Sequence, residues 1–158
     1  MKMSIEEATR VMGATLVLGK GPRAQVAGAS IDSRSISPGE LFFAITGEFL
    51  DGHDFAEDAS RKGAAGVVVS REVSTDGDQL IVADPAVALV RLASWVRDSI
   101  DPLVVGVTGS VGKTSTKDLL HAVAAERYST VAATGSFNND LGVPLTLLRT
   151  LEETEVLV

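Results

Sequence analysis

Lys113 and Thr114 close the stretch Val104-Val105-Gly106-Val107-Thr108-Gly109-Ser110-Val111-Gly112-Lys113-Thr114-Ser115, where an apolar run passes through glycines into a helical pattern. An ammonium, a hydroxyl and a turn of inward-facing backbone N–H groups at that spacing suit a bound phosphate. The helix N-terminus adds partial positive charge, Lys113 adds a full one, and Thr114 offers a ligand to a phosphate-bound Mg²⁺. The strict phosphate-loop pattern asks for a glycine at position 107, and Val107 is there, with Gly106 and Gly109 nearby. The strand before and the helix after meet the context the motif requires. Phosphate binding at Thr108 to Ser115 is therefore the expectation, against an ordinary glycine-rich turn with a solvated lysine.

Other residues offer weaker chemistry. In Asp32-Ser33-Arg34, Arg34 can hold a phosphate or carboxylate bidentately with Ser33 donating beside it, but taken alone it reads more readily as a solvated or salt-bridged surface arginine. The loop Thr46-Gly47-Glu48-Phe49-Leu50-Asp51-Gly52-His53-Asp54-Phe55 is expected to expose Phe49, Asp51 and His53, so that a flat base can pack on its backbone and Phe49. From composition alone it reads slightly more readily as a plain connection with a helix cap at Asp54. His53 and His121 are the only histidines, and neither has a Ser or Cys partner at recognisable spacing, so triad chemistry has no support. His121 is expected in solvent. Asn138-Asn139 are two amides aimed into a site, or simply a turn. Beyond Thr114 no metal-ligand spacing stands out.

These residues need elements to carry them. Ser4-Ile5-Glu6-Glu7 has capping-box spacing and predicts a helix to about Met12, stopped by Gly13. Strands are expected at Ala14 to Leu18, Val26 to Ile31, Leu41 to Ile45, Val67 to Val69 and Leu80 to Val82. Asp54-Phe55-Ala56-Glu57 predicts a second capped helix ending at Gly63, and Asp84-Pro85 opens a third to about Asp98. Asp101-Pro102 then punctuates the chain, which places a domain boundary near residue 100 and gives domains 1–100 and 101–158. After Lys113, the apolar Leu119, Leu120, Val123 and Ala124 share one helical face, with Lys117, Asp118, His121 and Glu126 around the other. Tyr128 to Ala132 predicts a strand, Pro144 opens a helix, and Glu155 to Val158 reads as a strand at the end of the chain. The second region alternates strand and helix, the pattern of a parallel α/β sheet, and it is too short to cover its own edges.

Composition narrows the function classes. The 158 residues are 45% hydrophobic and 22% charged, an ordinary globular balance long enough for one good core or two small ones. A net charge of −7 without a basic cluster argues against a nucleic-acid surface. The absence of cysteine removes disulfides and thiolate metal sites and fits a reducing compartment. The first residues lack an apolar signal core, and no apolar run approaches the ~20 residues of a membrane span. A cytoplasmic enzyme or binding domain, without membrane insertion, is expected.

Several of these features line up with one family. Thr108-Gly109-Ser110-Val111-Gly112-Lys113-Thr114 resembles the ATP loop of the Mur ligases, whose pattern lacks the first phosphate-loop glycine and so accounts for Val107. Asp32-Ser33-Arg34, Ser37-Pro38-Gly39-Glu40-Leu41-Phe42-Phe43-Ala44, Gly47 and Asp51-Gly52-His53-Asp54-Phe55 resemble the family's N-terminal UDP-sugar-binding domain. Gly135-Ser136-Phe137-Asn138-Asn139-Asp140-Leu141-Gly142-Val143-Pro144 is similar to the member that uses D-alanyl-D-alanine.

The resemblance implies a small N-terminal α/β UDP-sugar-binding domain followed by the start of an incomplete parallel-sheet ATPase domain. It implies an ATP- and Mg²⁺-dependent amide ligation in peptidoglycan precursor synthesis, by an enzyme that is monomeric when complete. A carboxylate of the UDP-N-acetylmuramoyl tripeptide is phosphorylated to an acyl phosphate, which the amine of D-alanyl-D-alanine attacks. By position, Lys113 holds the β/γ-phosphates, Thr114 ligates Mg²⁺, and Thr108, Gly109, Ser110, Val111, Gly112 and Ser115 complete the nucleotide loop. Ser33, Arg34, Thr46, Gly47, Glu48, Phe49, Leu50 and Asp51 hold the uridine diphosphate, and Asn138 and Asn139 line the passage to the peptide. Family members are longer, so the chain alone is expected to be an inactive N-terminal portion. The alternatives are a non-catalytic UDP-sugar-binding module and another ligase of the same family.

Overall fold

The computed structural model describes residues 2–21, 24–133 and 141–158. Its contacts divide the chain into two compact units, Met1–Leu92 and Ala93–Val158. The division falls inside helix α3 (Pro85–Ile100), whose C-terminal end is where the sequence places the boundary.

The first unit is built on a five-stranded sheet of β1 (Thr15–Val17), β2 (Gly28–Ser30), β3 (Glu40–Phe43), β4 (Gly66–Val69) and β5 (Gln79–Ile81). Their spatial order is β1-β5-β4-β3-β2, parallel except for β1, which pairs antiparallel with β5. Strands of a largely parallel sheet are covered on both faces and read as unbroken apolar runs, as Leu41-Phe42-Phe43 and Val67-Val68-Val69 do. All six are fully buried. Register puts Phe42 beside Val67, and these two pack with Val69, Ile36, Ala44 and with Ala56 and Ala59 of α2 (Ala56–Arg61). Alternation turns Leu41, Phe43, Val68 and Leu80 to the opposite face. Helix α1 (Ile5–Met12) buries Ile5, Ala8 and Met12, and Arg91 of α3 donates to the Met12 carbonyl at 3.4 Å.

Local signals act as the sequence predicts at two helix starts. Ser4 Oγ accepts from the Glu7 N–H at 3.1 Å, and the Gly13 N–H returns to the last carbonyls of α1. Asp84 Oδ1 accepts from the N–H groups of Ala86 and Val87, capping α3. The expected cap at Asp54 is not formed. A 3₁₀ turn at Gly52–Phe55 precedes α2, and Asp51 caps it by accepting from the His53 N–H at 3.0 Å. Asp51 wins because its carboxylate also gathers partners from outside the turn.

The second unit carries a three-stranded parallel sheet in the order β6-β8-β7, from β6 (Leu103–Val104), β7 (Thr130–Val131) and β8 (Val156–Leu157). Helix α4 (Lys113–Ala125) joins β6 to β7, and α5 (Gly142–Leu147) precedes β8. Helix α5 starts two residues earlier than Pro144, which sits inside its first turn, where a missing N–H costs nothing. Among the described residues no helix is long and apolar enough to cross a membrane.

The orientation of α4 differs from expectation. None of its residues is buried; Lys113, Lys117, His121 and Ala124 form its half-buried stripe, while Leu119 and Val123 are 67% and 72% exposed. His121 is thus half-buried rather than fully solvated. Apolar periodicity locates the helix but leaves the direction of its apolar face to whatever packs there.

Candidate functional site

In the second unit the chain leaves β6 at Val104, turns through Gly106 to Gly112 and enters α4 at Lys113. Gly112 stands at the helix N-cap with φ 83°, a left-handed conformation that a side chain would strain. Gly109 has φ 153°. Thr108 to Gly112 are exposed, with Val111 91% exposed, so its apolar side chain leaves the loop backbone accessible. Lys113 Nζ donates to the Gly109 carbonyl, which brings the ammonium over its own loop. A cavity of about 540 Å³ opens here, lined by Gly106, Lys113, Thr114, Lys117 and Ala133 among others. Exposed N–H donors at a helix start, a lysine over them and a threonine hydroxyl on the cavity wall can cradle a polyphosphate.

The fit to a Mg²⁺–nucleotide follows from the donor set. Thr114 supplies one hydroxyl, and among the described residues no three His, Asp or Glu side chains come together to hold a metal alone. A small hard cation at this place takes most of its oxygens from phosphate and water, the usual habit of Mg²⁺.

In the first unit, two groups follow the C-terminal ends of adjacent parallel strands. After β2, Asp32 and Arg34 form a bidentate pair, with Arg34 Nη2 2.7 Å and Nε 2.9 Å from the two carboxylate oxygens. The Arg34 side chain and its backbone N–H hold the Asp32 carboxyl down at about 2. Arg34 is 87% exposed, and Ser33 is buried with its carbonyl accepting from Lys62 Nζ at 2.8 Å. After β3, Thr46 and Asp51 bridge across a tight turn that the Gly47 N–H closes on the Leu50 carbonyl at 2.8 Å. Glu48 lies exposed between them, and Phe49 and Leu50 are 90% and 68% exposed. A rigid tip that presents an aromatic ring to solvent is suited to a flat ring of a ligand.

What braces the tip is a polar knot, seated on the buried His53, that spacing does not reveal. Asp51 Oδ1 accepts from the His53 N–H, from His53 Nδ1 at 2.6 Å and from Thr46 Oγ1 at 3.2 Å, while Oδ2 accepts from Arg71 at 2.9 Å. Arg71 first, then the backbone and ring of His53, hold the Asp51 carboxyl well below the usual carboxylate range. His53 is buried, correcting the expectation that the loop exposes it. Its Nε2 accepts from the Ser70 N–H at 2.9 Å, so the Nδ1 carries the proton and donates to Asp51. Ser70 Oγ also lies 3.0 Å from Nε2, a hydroxyl partner that sequence spacing concealed. The ring's one acceptor lone pair already takes the main-chain N–H, so His53 is a brace and not a base.

The phosphate-loop residues are thus brought together in one unit, and Ser33, Arg34 and residues 46–51 in the other. Asn138 and Asn139 lie outside the described residues. Lys62, Ser70 and Arg71 are the supports that sequence reasoning missed; they act on Ser33, His53 and Asp51, 17 or more residues away, where no motif signals them.

Two family models match: the Mur ligase family catalytic domain over residues 25–127, and the Mur ligase middle domain over residues 107–158. Among curated relatives, the UDP-N-acetylmuramoyl-tripeptide--D-alanyl-D-alanine ligase of Escherichia coli (strain K12) is 45% identical over 127 residues, covering 80% of this chain and 28% of that protein. The Haemophilus influenzae protein of the same name is 38% identical over 158 residues, covering 97% of this chain and 34% of its own length. The chain therefore spans well under half the length of the curated relatives it matches. Of solved structures, MurF from Acinetobacter baumannii superposes with a TM-score of 0.89 at 30% identity, over 100% of this chain and 35% of that one. The MurF ligase of Thermotoga maritima, solved in complex with ADP, gives 0.73 at 32% identity over 84% of this chain and 31% of its own. The first family model alone takes in more than half of the residues, and the chain belongs to the Mur ligase family.

Proposed function

We propose that the chain is the N-terminal part of a cytoplasmic ATP-dependent ligase that joins D-alanyl-D-alanine to a UDP-N-acetylmuramoyl tripeptide in peptidoglycan precursor synthesis. The observation that carries this reading is the phosphate loop at the start of α4, with Lys113 and Thr114 on the wall of one cavity. Relatives that bear this ligase's name align along the chain, and a related structure was solved with ADP, which supports a nucleotide at the loop.

Each residue then has a defined task. The N–H groups of Thr108 to Gly112 and of Ser115 bind phosphate oxygens, and Lys113 neutralises charge that grows on the transferred group. Thr114 holds Mg²⁺. ATP, when bound, supplies the phosphoryl group that activates the peptide carboxylate toward the incoming amine. In the first unit, Arg34 meets the diphosphate once it turns from Asp32, and Ser33 fixes that turn. Gly47, Glu48, Phe49 and Leu50 face the nucleoside, while Thr46 and Asp51 shape the tip that carries them. Asn138 and Asn139 are, by the family resemblance alone, the candidates for contact with the peptide. The complete enzyme works as a monomer.

The test is ligation by the complete protein, followed as D-alanyl-D-alanine-dependent phosphate release. Lys113→Ala is expected to lower it on the order of 100-fold or more, the scale of losing a preorganised transition-state contact. Full activity in that variant would contradict the reading.

A further inference from the structure

Lys117 stands one helical turn after Lys113 on the same stripe of α4, and its side chain is only 12% exposed. Its Nζ donates to the Ala133 carbonyl at 2.5 Å and meets Asp118 Oδ1 at 2.8 Å. Withdrawing an ammonium from water is costly unless its protons find acceptors, so this placement is specific. Ala133 lies two residues past β7 and continues its pairing with the chain after β8: its N–H donates to the Val158 carbonyl at 3.2 Å, and the Val158 N–H donates to the Val131 carbonyl at 2.9 Å. One side chain therefore ties the ends of β7 and β8 to the helix that the phosphate loop opens. Lys113, Thr114, Lys117 and Ala133 all line the same cavity.

We propose that Lys117 is a positioning residue, which fixes the end of β7 as a wall of the phosphate-loop cavity. Its kinetic consequence rests on the ligase reading; the clamp itself rests on the Ala133 bond alone. With its Nζ engaged by a strand-end carbonyl, Lys117 acts on where a reacting carboxylate can stand relative to the phosphate at Lys113. Misplacing such a group by ~1 Å costs up to about 100-fold in rate. Loss of the clamp should therefore appear in kcat, with nucleotide affinity retained. Methionine nearly conserves the volume of lysine and removes the donor; arginine keeps a donor.

Two measurements test this. In the 158-residue chain, Lys117→Met is expected to speed hydrogen exchange of the Ala133 and Val158 amides roughly tenfold or more, while the Ala44 amide, bonded to Val68 in the other unit, stays unchanged. In the complete ligase, Lys117→Met is expected to lower kcat ~10- to 100-fold with KM for ATP within about twofold, and Lys117→Arg to recover most of it. Unchanged exchange overturns the clamp. A raised KM for ATP with kcat intact overturns the positioning role and makes Lys117 a phosphate ligand. A shift in exchange from a protein that has no ligase activity as wild type keeps the clamp and discards the ligase reading.

Discussion

Asp51 is the residue on which the first unit's exposed tip depends, and it is a hub rather than a free ligand. Its two oxygens accept from Thr46, from the backbone and ring of His53 and from Arg71. A carboxyl whose folded pKa is lowered contributes stability that is fully present above the unfolded value and lost as pH falls through the folded one. The ordinary value is 3.8, so the tip should keep its order down to about pH 4 and loosen only below it. Amide exchange at Gly47 and His53, followed from pH 7 to pH 2, checks this, and Asp51→Asn should bring the fast exchange up to neutral pH. Gly52 is equally constrained: a Cβ there would stand 2.6 Å from Ile45 N and 2.8 Å from Ala44 C, both backbone. Gly52→Ala should therefore displace the 3₁₀ turn and weaken the UDP-sugar binding proposed for this tip at least tenfold by calorimetry, with the β3–β4 amides still protected. The glycines, aromatic and acids of residues 46–55 admit a site, but by composition they read slightly more as a plain connection, and it is the family resemblance that singles the stretch out. The sequence does not show which acid organises it, because Asp54 carries the capping pattern while the deciding partners of Asp51, Arg71 and through His53 Ser70, lie a strand away.

At the scale of elements, the strands were legible and the facing of α4 was not. Short apolar runs rich in aromatic or β-branched residues and bounded by turn residues favour buried strands over helices, and Leu41 to Phe43 and Val67 to Val69 are that. Helix α4 has an equally clear apolar stripe, yet Lys113, Lys117 and His121 lie on its half-buried side. Leu119 and Val123 are left exposed as a consequence. Opposite costs follow for substitutions of similar chemistry. Phe42→Ala should cost about 3–5 kcal/mol, since it empties a fully buried site. Leu119→Gln and Val123→Gln should each stay within ~0.5 kcal/mol in this chain, since both side chains are already largely in solvent. Chemical denaturation of the three variants checks both.

For the molecule as a whole, the family is carried by an ordered set of short motifs: Asp32 to Arg34, Gly47 to Phe55 and Thr108 to Thr114. The fold explains the order. Two of the motifs leave the C-terminal ends of β2 and β3 and the third leaves β6, the usual place for ligand loops in parallel α/β sheets. The chain covers 28% and 34% of the length of two curated relatives that it matches, so the ligation proposed here is that of a complete, longer protein. Residues 1–158 alone should release no phosphate in response to D-alanyl-D-alanine, although their loop should still hold a nucleotide. The most direct test of the account is a calorimetric titration of Mg·ADP into this chain and into Lys113→Ala. Saturable binding at one site in the native sequence, lost in the variant, is the predicted result. No binding to the native chain, or equal binding to both, would contradict it.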